Sequence, residues 1–260
     1  LSQSVPLLAR VYPNGQADVN HFHAAGGMGF LIAQLLKAGL VHDDVLTIMG
    51  PGLQRYTMEP WLNQGQLDWR EAPTESGDES VLRPVSRPFL ADGGLRLLKG
   101  NLGRAVIKVS AVKPEHQQVR APAIVLSDQH QLNALYQKGD LNRDFVAVVR
   151  HQGPRANGMP ELHRLTPILG ALQEQGFKVA LVTDGRMSGA SGKVPAAIHL
   201  CPDSTDGGLI AKVQDGDWIT LDCEAQVLQL EVSDADLAQR MPAPLPPIEG
   251  VLGSGRQLFA

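Results

Sequence analysis

The sequence contains very little cysteine: Cys201 and Cys223 are the only two in 260 residues. They lie far apart, form no C-x-x-C pair and cannot by themselves supply the thiolates of a four-iron cluster. Reduced, unpaired thiols are typical of proteins kept in a reducing compartment. We therefore expect a cytoplasmic protein without disulfides.

Three further features are absent from the sequence, and they bear on the partners that we expect. No apolar run approaches the length of a membrane-spanning helix, and the first residues lack the basic and apolar regions of a signal peptide. The formal net charge of −4 leaves no basic excess that would attract nucleic acid or an anionic membrane surface. We therefore expect neither a membrane nor nucleic acid among its partners.

The composition is that of a globular protein, with 43% hydrophobic and 19% charged residues. The length suits one large domain or two smaller ones. Prolines recur among charged and small residues between 71 and 88, which is typical of a linker or a long surface crossing. We place the domain boundary near Pro88, so that residues 1–88 form one region and 89–260 another.

Hydrophobic periodicity and turn residues predict a mixed α/β protein. Many short strands with two or three helices in the second region predict a closed, β-barrel-like core with flanking helices. The predicted helices cover 21–38, 52–62, 129–137, a segment from Pro160 to 174, and 233–239. The strands that matter below cover 45–49, 123–126, 145–149, 178–183, 209–213, 218–221 and 227–232.

The strand 178–183 and the loop that follows it contain the main candidates for a binding site. The apolar strand 178–183 runs into a loop rich in glycine and serine, which also contains Arg186 and Lys193. Such a loop brings backbone N–H groups and two cations together, and this arrangement suits a substrate that carries negative charge. An ordinary strand-to-helix connection would have the same composition.

Glu161 and His23 are candidate site residues on local grounds. Glu161 follows a loop rich in Gly, Pro and Asn, and we expect it in the first turn of a helix, where its charge is stabilised. An ionised carboxylate there could bind a hard cation or could simply cap the helix. His23 precedes Gly26 and Gly27, and paired glycines inside a helical pattern indicate close approach to another element or a ligand.

Four segments, in order along the chain, carry a family resemblance: 12–28 (YPNG through HAAGGM), 94–102 (from Gly94 to GNL), 152–161 (QGPRANGMPE) and 183–197 (TDGRMSGASGKVPAA). With these motifs the chain resembles the dihydroxy-acid/6-phosphogluconate dehydratase family. The wording of 186–197 is most similar to the phosphogluconate branch. At Gln152 the sequence departs from the dihydroxy-acid branch, which tends to carry Glu there.

The resemblance implies a reaction and roles for individual residues. A 2,3-dihydroxy acid loses the C2 proton and the C3 hydroxide, and the resulting enol tautomerises to a 2-oxo-3-deoxy acid. Ser188 matches the proposed alkoxide base, and Glu161 matches a Mg²⁺ ligand. Arg186, Lys193, Asn157, Ser191 and His23 are candidates for substrate binding. The expected substrate is a phosphorylated sugar acid, 6-phosphogluconate.

The resemblance also implies what lies outside this chain. Family members are about twice as long or longer, are homodimers, and carry an iron–sulfur cluster, expected to be 4Fe–4S, on cysteines of the N-terminal half. The chain would then be a C-terminal part: 1–88 would end the larger N-terminal α/β domain, and 89–260 would form a swivelling β/β/α barrel. A dihydroxy-acid or other aldonate dehydratase is one alternative. A non-catalytic binding or regulatory module is another.

Overall fold

The computed structural model describes residues 1–187 and 192–246 and divides the chain into two compact units, Leu1–Gly94 and Leu95–Ala260. Each unit is described by itself. The assignment of residues 1–88 to the end of a larger domain stays a prediction.

Unit 1 contains two short α-helices and two antiparallel hairpins, and its extended first residues bridge to Leu82 and Leu90. A single 3₁₀ turn, Gln54–Thr57, precedes the second hairpin. The elements are α1 (Val19–Ala24), α2 (Gly27–Lys37), β1 (Leu46–Thr47), β2 (Gly50–Pro51), β3 (Met58–Asn63) and β4 (Gln66–Glu71).

Three predictions for unit 1 are wrong in detail. The helix expected over 21–38 is two helices, because the chain turns at Gly26 with φ +129°, a conformation that glycine tolerates best. The segment 45–49 is not a buried strand, since Leu46 and Ile48 are 86% and 98% exposed. The segment 52–62 is not an α-helix: its first half ends in the 3₁₀ turn, and from Met58 it is strand, because β3 pairs with β4 through a two-residue turn.

Unit 2 is built on a closed barrel of eight strands. In order around the barrel they run β10, β6, β5, β12, β11, β7, β8 and β9. The strands are β5 (Leu95–Gly100), β6 (Gly103–Lys108), β7 (Gln118–Leu126), β8 (Phe145–Val149), β9 (Val179–Thr183), β10 (Ala196–Cys201), β11 (Trp218–Asp222) and β12 (Val227–Leu230).

Strands β7, β8, β9 and β10 are parallel neighbours. The position of β8 explains why all of its residues are apolar. Val146 and Val148 point into the barrel core, whereas Phe145, Ala147 and Val149 belong to a second core outside the barrel. Both faces of the strand are therefore buried, which removes the apolar–polar alternation of a half-exposed strand.

The helices of unit 2 connect and cover the barrel. Leucines of α3 and α5 pack in the second core, on the outer face of the parallel strands. As predicted, Asp128 caps α3 and Gly139 ends it in the left-handed conformation. The segment 209–213, predicted as a strand, is a 3₁₀ helix. The helices are α3 (Gln129–Lys138), α4 (Pro154–Asn157), α5 (Leu165–Glu174) and α6 (Asp234–Gln239).

The predicted fold class, α/β with a closed β-barrel-like domain and flanking helices, is confirmed. The glycine of the GNL motif has a steric reason in this barrel. A Cβ on Gly100 would overlap the carbonyl oxygen of Leu228, so any side chain there would separate neighbouring strands. Within the described residues, no helix combines the length and apolar character required to cross a bilayer.

Candidate active site

The candidate site lies where the four parallel strands of unit 2 end. Their carboxyl ends meet at one edge of the barrel, and ligands of parallel α/β sheets bind preferentially at such edges. The loops that follow these strands contribute five residues to a hydrogen-bonded cluster: Ser127, His151, Gln152, Asp184 and Ser204. The hydrogen bonds among them join all four loops.

Asp184 is the centre of this cluster and is only 2% exposed. One carboxylate oxygen, Oδ1, accepts from the backbone N–H of Gln152 at 2.8 Å. The other, Oδ2, accepts from the N–H of His151 at 3.2 Å, from the N–H of Ser204 at 3.1 Å and from the Ser204 hydroxyl at 2.5 Å. A single side chain thus holds the loops after β8 and β10 against the end of β9.

Replacing Asp184 by asparagine should destabilise the protein. In asparagine one of the two accepting oxygens is replaced by an NH₂ donor, which would face buried backbone N–H groups. Those N–H groups would lose their acceptor, so we expect the free energy of unfolding to fall by about 1–3 kcal/mol. Urea denaturation measures the change. Asp222→Asn is the matched control. One oxygen of Asp222 accepts hydrogen bonds from the backbone N–H groups of Glu224 and Ala225, and this turn is exposed. Equal stability changes in both variants would contradict the role of Asp184.

Gln152 and Asn157 extend the cluster. The Gln152 amide donates to the Ser127 carbonyl at 2.7 Å and accepts from the Asn157 amide at 3.0 Å. Gly185 allows this approach, since a Cβ there would lie 2.6 Å from Cβ of Gln152. Asn157, a predicted substrate-binding residue, is therefore placed at the strand edge by Gln152, and its contact with substrate stays a prediction.

Glu161 is not in a helical turn, so the predicted helix-terminal position is wrong. Helix α4 ends at Asn157, α5 begins only at Leu165, and Glu161 is extended and bridges to Arg186. The Arg186 guanidinium donates to the Glu161 carboxylate at 2.7 Å and to the Met159 carbonyl at 3.0 Å. An arginine, rather than a helix N-terminus, is therefore the partner of the Glu161 carboxylate.

Arg186 and Lys193 lie at different places in unit 2. The Arg186 carbonyl accepts from the N–H of Leu162, just before α5 begins, whereas the Lys193 carbonyl accepts from the side chain of Gln173 near the end of α5. At a rise of about 1.5 Å per residue, these ends of the helix are roughly 12 Å apart. The backbones of the two residues are therefore held near opposite ends of α5.

His151 is a buried residue that the sequence did not single out. It is 4% exposed, adopts φ +60°, and its ring Nδ1 has no hydrogen-bond partner within residues 1–187 and 192–246. Burial, reinforced by the charge of Arg150, lowers the pKa of this imidazole. His151 therefore remains neutral at neutral pH.

Three other predicted residues are not placed in this cluster. Ser188 and Ser191 lie outside the described residues. His23 belongs to unit 1, where it lines an apolar groove with Phe22 and Met28. Its role in substrate binding stays a prediction.

The described residues do not fit an iron–sulfur cluster. Cys201 is exposed at the end of β10, whereas Cys223 is buried in the barrel core, and burial raises the pKa of its thiol to about 12. Residues 1–187 and 192–246 also contain no group of three or more His, Cys, Asp or Glu side chains arranged for a metal. Glu161 could provide one carboxylate to Mg²⁺, and the other ligands would have to come from elsewhere.

Sequence reasoning missed Asp184, Ser204 and His151 as members of the cluster. An Asp-Gly pair such as Asp184 and Gly185 is typical of a turn, which gives the carboxylate no special place in the sequence. The signal that could have found it is its position directly after a strand buried on both faces, since such strands end at a shared edge. No comparable signal marks Ser204 or His151.

Comparison with known proteins identifies related sequences. The family model described as "Dihydroxy-acid/6-phosphogluconate dehydratase C-terminal" matches residues 80–259, and its N-terminal counterpart matches residues 1–56. The chain is 62% identical to the phosphogluconate dehydratase of Pseudomonas aeruginosa and 56% identical to that of Escherichia coli K12, over all of the chain. It is 36% identical, over 98% of its length, to the L-arabonate dehydratase of Azospirillum brasilense.

The chain spans less than half of the length of these relatives, 43% in each case. The C-terminal model nevertheless covers most of the chain, and the motifs quoted for the resemblance lie in both matched regions. The chain belongs to the dihydroxy-acid/6-phosphogluconate dehydratase family.

Proposed function

We propose that the complete protein, a polypeptide of full family length, is a hydro-lyase of the Entner–Doudoroff pathway. It converts 6-phospho-D-gluconate to 2-dehydro-3-deoxy-6-phospho-D-gluconate. The observation that supports this substrate is the difference in identity: 52–62% to relatives named phosphogluconate dehydratase, against 36% to the L-arabonate dehydratase.

Ser188 is the base in this proposal. As an alkoxide, Ser188 takes the proton from C2 while hydroxide leaves C3, and the enol tautomerises to the 2-oxo-3-deoxy acid. The iron–sulfur cluster, when bound, would supply the Lewis acid that accepts the leaving hydroxide. A serine hydroxyl is a weak base unless a cation lowers its pKa, and Arg186 lies two residues away in sequence. Asp184, which ties the neighbouring loops together, orients the start of the Ser188 loop.

The cofactors and surroundings belong to the same proposal. The complete protein holds a 4Fe–4S cluster, whose cysteine ligands lie outside this chain, and Mg²⁺, to which Glu161 contributes one oxygen. It works in the cytoplasm as a homodimer on a small phosphorylated sugar acid, and it binds neither nucleic acid nor membranes. The high pKa of Cys223 supports placing the cluster ligands elsewhere.

A substrate panel tests the activity. We expect the complete protein to show its highest kcat/KM with 6-phosphogluconate, compared with L-arabonate and a branched 2,3-dihydroxy acid. Preference for an unphosphorylated aldonate would favour the second candidate, an aldonate dehydratase, for which the 36% identical relative is the supporting observation. If the complete protein dehydrated none of these substrates, a non-catalytic binding or regulatory module would be the remaining candidate.

The chain of residues 1–260 alone should be colourless and inactive. Its two cysteines cannot provide the thiolate ligands of a cluster, and one of them is held as a buried thiol. Anaerobic reconstitution with iron and sulfide, followed by absorbance and dehydration assays, measures this. Cluster absorbance together with turnover would contradict the proposal that the ligands lie outside this chain.

Arg186 and Lys193 should bind separate anionic groups of the substrate. Replacing either by alanine removes a charge-assisted hydrogen bond, so we expect substrate binding to weaken by roughly 1–3 kcal/mol in each variant. Because the residues lie near opposite ends of α5, the two effects should add in the double variant. KM and kcat values of the complete enzyme measure this. Unchanged values in both single variants would reject the binding role.

A further inference from the structure

Unit 1 buries very few apolar side chains for its size. Within Leu1–Gly94, the apolar residues that are almost fully buried are Leu8, Ala25, Phe30, Val81 and Leu82. A stretch of this length that formed a domain alone would need a larger core to offset its conformational entropy. Unit 1 therefore has the core of an incomplete domain.

One face of the β3–β4 hairpin is among the apolar surfaces of unit 1 that stay exposed. In the register of β3 and β4, Pro60 lies opposite Trp69 and Leu62 opposite Leu67, while Glu59 and Trp61 face Arg70 and Asp68. Because side chains alternate along a strand, the first two pairs share a face. That face is apolar, yet Leu62 is 72%, Leu67 66% and Trp69 45% exposed.

The apolar hairpin face continues into a groove of about 610 Å³ within unit 1. Its lining is mostly apolar, with Phe22, Met28, Ile32, Met49, Met58 and Trp69, and it also includes His23, Arg55 and Glu59. Exposed apolar patches of this kind mark surfaces that another protein element covers.

The family match indicates what covers this surface. Residues 1–56, which contribute much of the groove lining, match the N-terminal domain model, and the hairpin at 58–71 follows directly after this match. More than half of the length of the relatives lies outside the chain. We propose that the apolar hairpin face and its groove are part of the core of the N-terminal domain, covered by apolar side chains of the polypeptide that precedes Leu1 in the complete protein. This inference rests on the family match and not on the proposed reaction.

Photo-crosslinking in the complete protein tests the occupant. A photoreactive phenylalanine analogue replaces Leu67 on the apolar face or, as matched control, its neighbour Gln66 on the opposite face. From position 67 we expect a product that keeps the mobility of a single chain on a denaturing gel, with the crosslinked peptide preceding Leu1. With the analogue at position 66 we expect no crosslink to a peptide that precedes Leu1. A covalent dimer from position 67, or equal yields from both positions, would overturn the proposal.

Tryptophan oxidation provides a second test that needs no variant. Trp69 and Trp218 are 45% and 44% exposed in this structure, so hydroxyl radicals should oxidise them at similar rates if nothing else covered either. In the complete protein we expect Trp69 to react several-fold more slowly than Trp218. Equal rates would overturn the proposal, and neither test depends on dehydratase activity.

Discussion

Ser188→Ala in the complete enzyme should lower kcat by about 10²-fold or more, the usual scale for loss of an acid–base group. Substrate binding should survive, because a small polar group is lost from a loop rich in glycine, so KM should change little. Exchange of the C2 proton with solvent should disappear together with turnover. Steady-state kinetics and proton exchange followed by NMR measure both effects.

The matched control for this variant is Ser233→Ala. Ser233 caps α6 by accepting from the N–H of Asp236 at 3.1 Å. Its loss should cost about 1 kcal/mol of stability and leave kcat unchanged. If the Ser188→Ala enzyme turned over at nearly the normal rate, the serine would have no part in proton removal.

Glu161→Gln should produce the second large effect, because it removes a charge and keeps the size of the side chain. A neutral amide is a weaker ligand for Mg²⁺ than a carboxylate, so activity should fall and added Mg²⁺ should partly restore it. The same change also removes the ion pair with Arg186, which is partly exposed and contributes about 0–1 kcal/mol. Activity measured against Mg²⁺ concentration separates the two consequences.

Glu231→Gln is the control for loss of an ion pair alone. Glu231 pairs with Arg120 at 2.6 Å, and its side chain is 29% exposed, compared with 26% for Glu161. This variant should show neither a loss of activity nor a response to Mg²⁺. A Glu161→Gln enzyme that is indifferent to Mg²⁺ would assign Glu161 only to the Arg186 ion pair.

Local sequence determined the elements whose signals are short-range. The run 145–149 is a strand because its residues are apolar and β-branched, and Asp128 and Gly139 set the ends of α3 within a few residues. The family was also evident from the sequence, since its motifs keep their order from residue 12 to residue 197. These features depend on neighbours along the chain and therefore need no knowledge of distant contacts.

Only the tertiary structure decided how these elements meet. The sequence of 52–62 is compatible with a helix or with part of a hairpin. It forms part of a hairpin because β3 pairs with β4. The parallel order of β7 to β10 brought four loops around Asp184, although Ser127 and Ser204 are distant in sequence. Backbone pairing across such separations is not encoded in local composition.

The clearest contrast concerns Glu161. Its sequence neighbours predicted a helix terminus, because Pro160 suits a first turn and leucines follow at helical spacing. In the structure the helix begins later, and Glu161 is extended against Arg186, which lies on another loop. Local propensity is a weak preference that a bridge and a charge-assisted hydrogen bond override. The sequence identified Glu161 as a candidate, and the tertiary structure decided its partner.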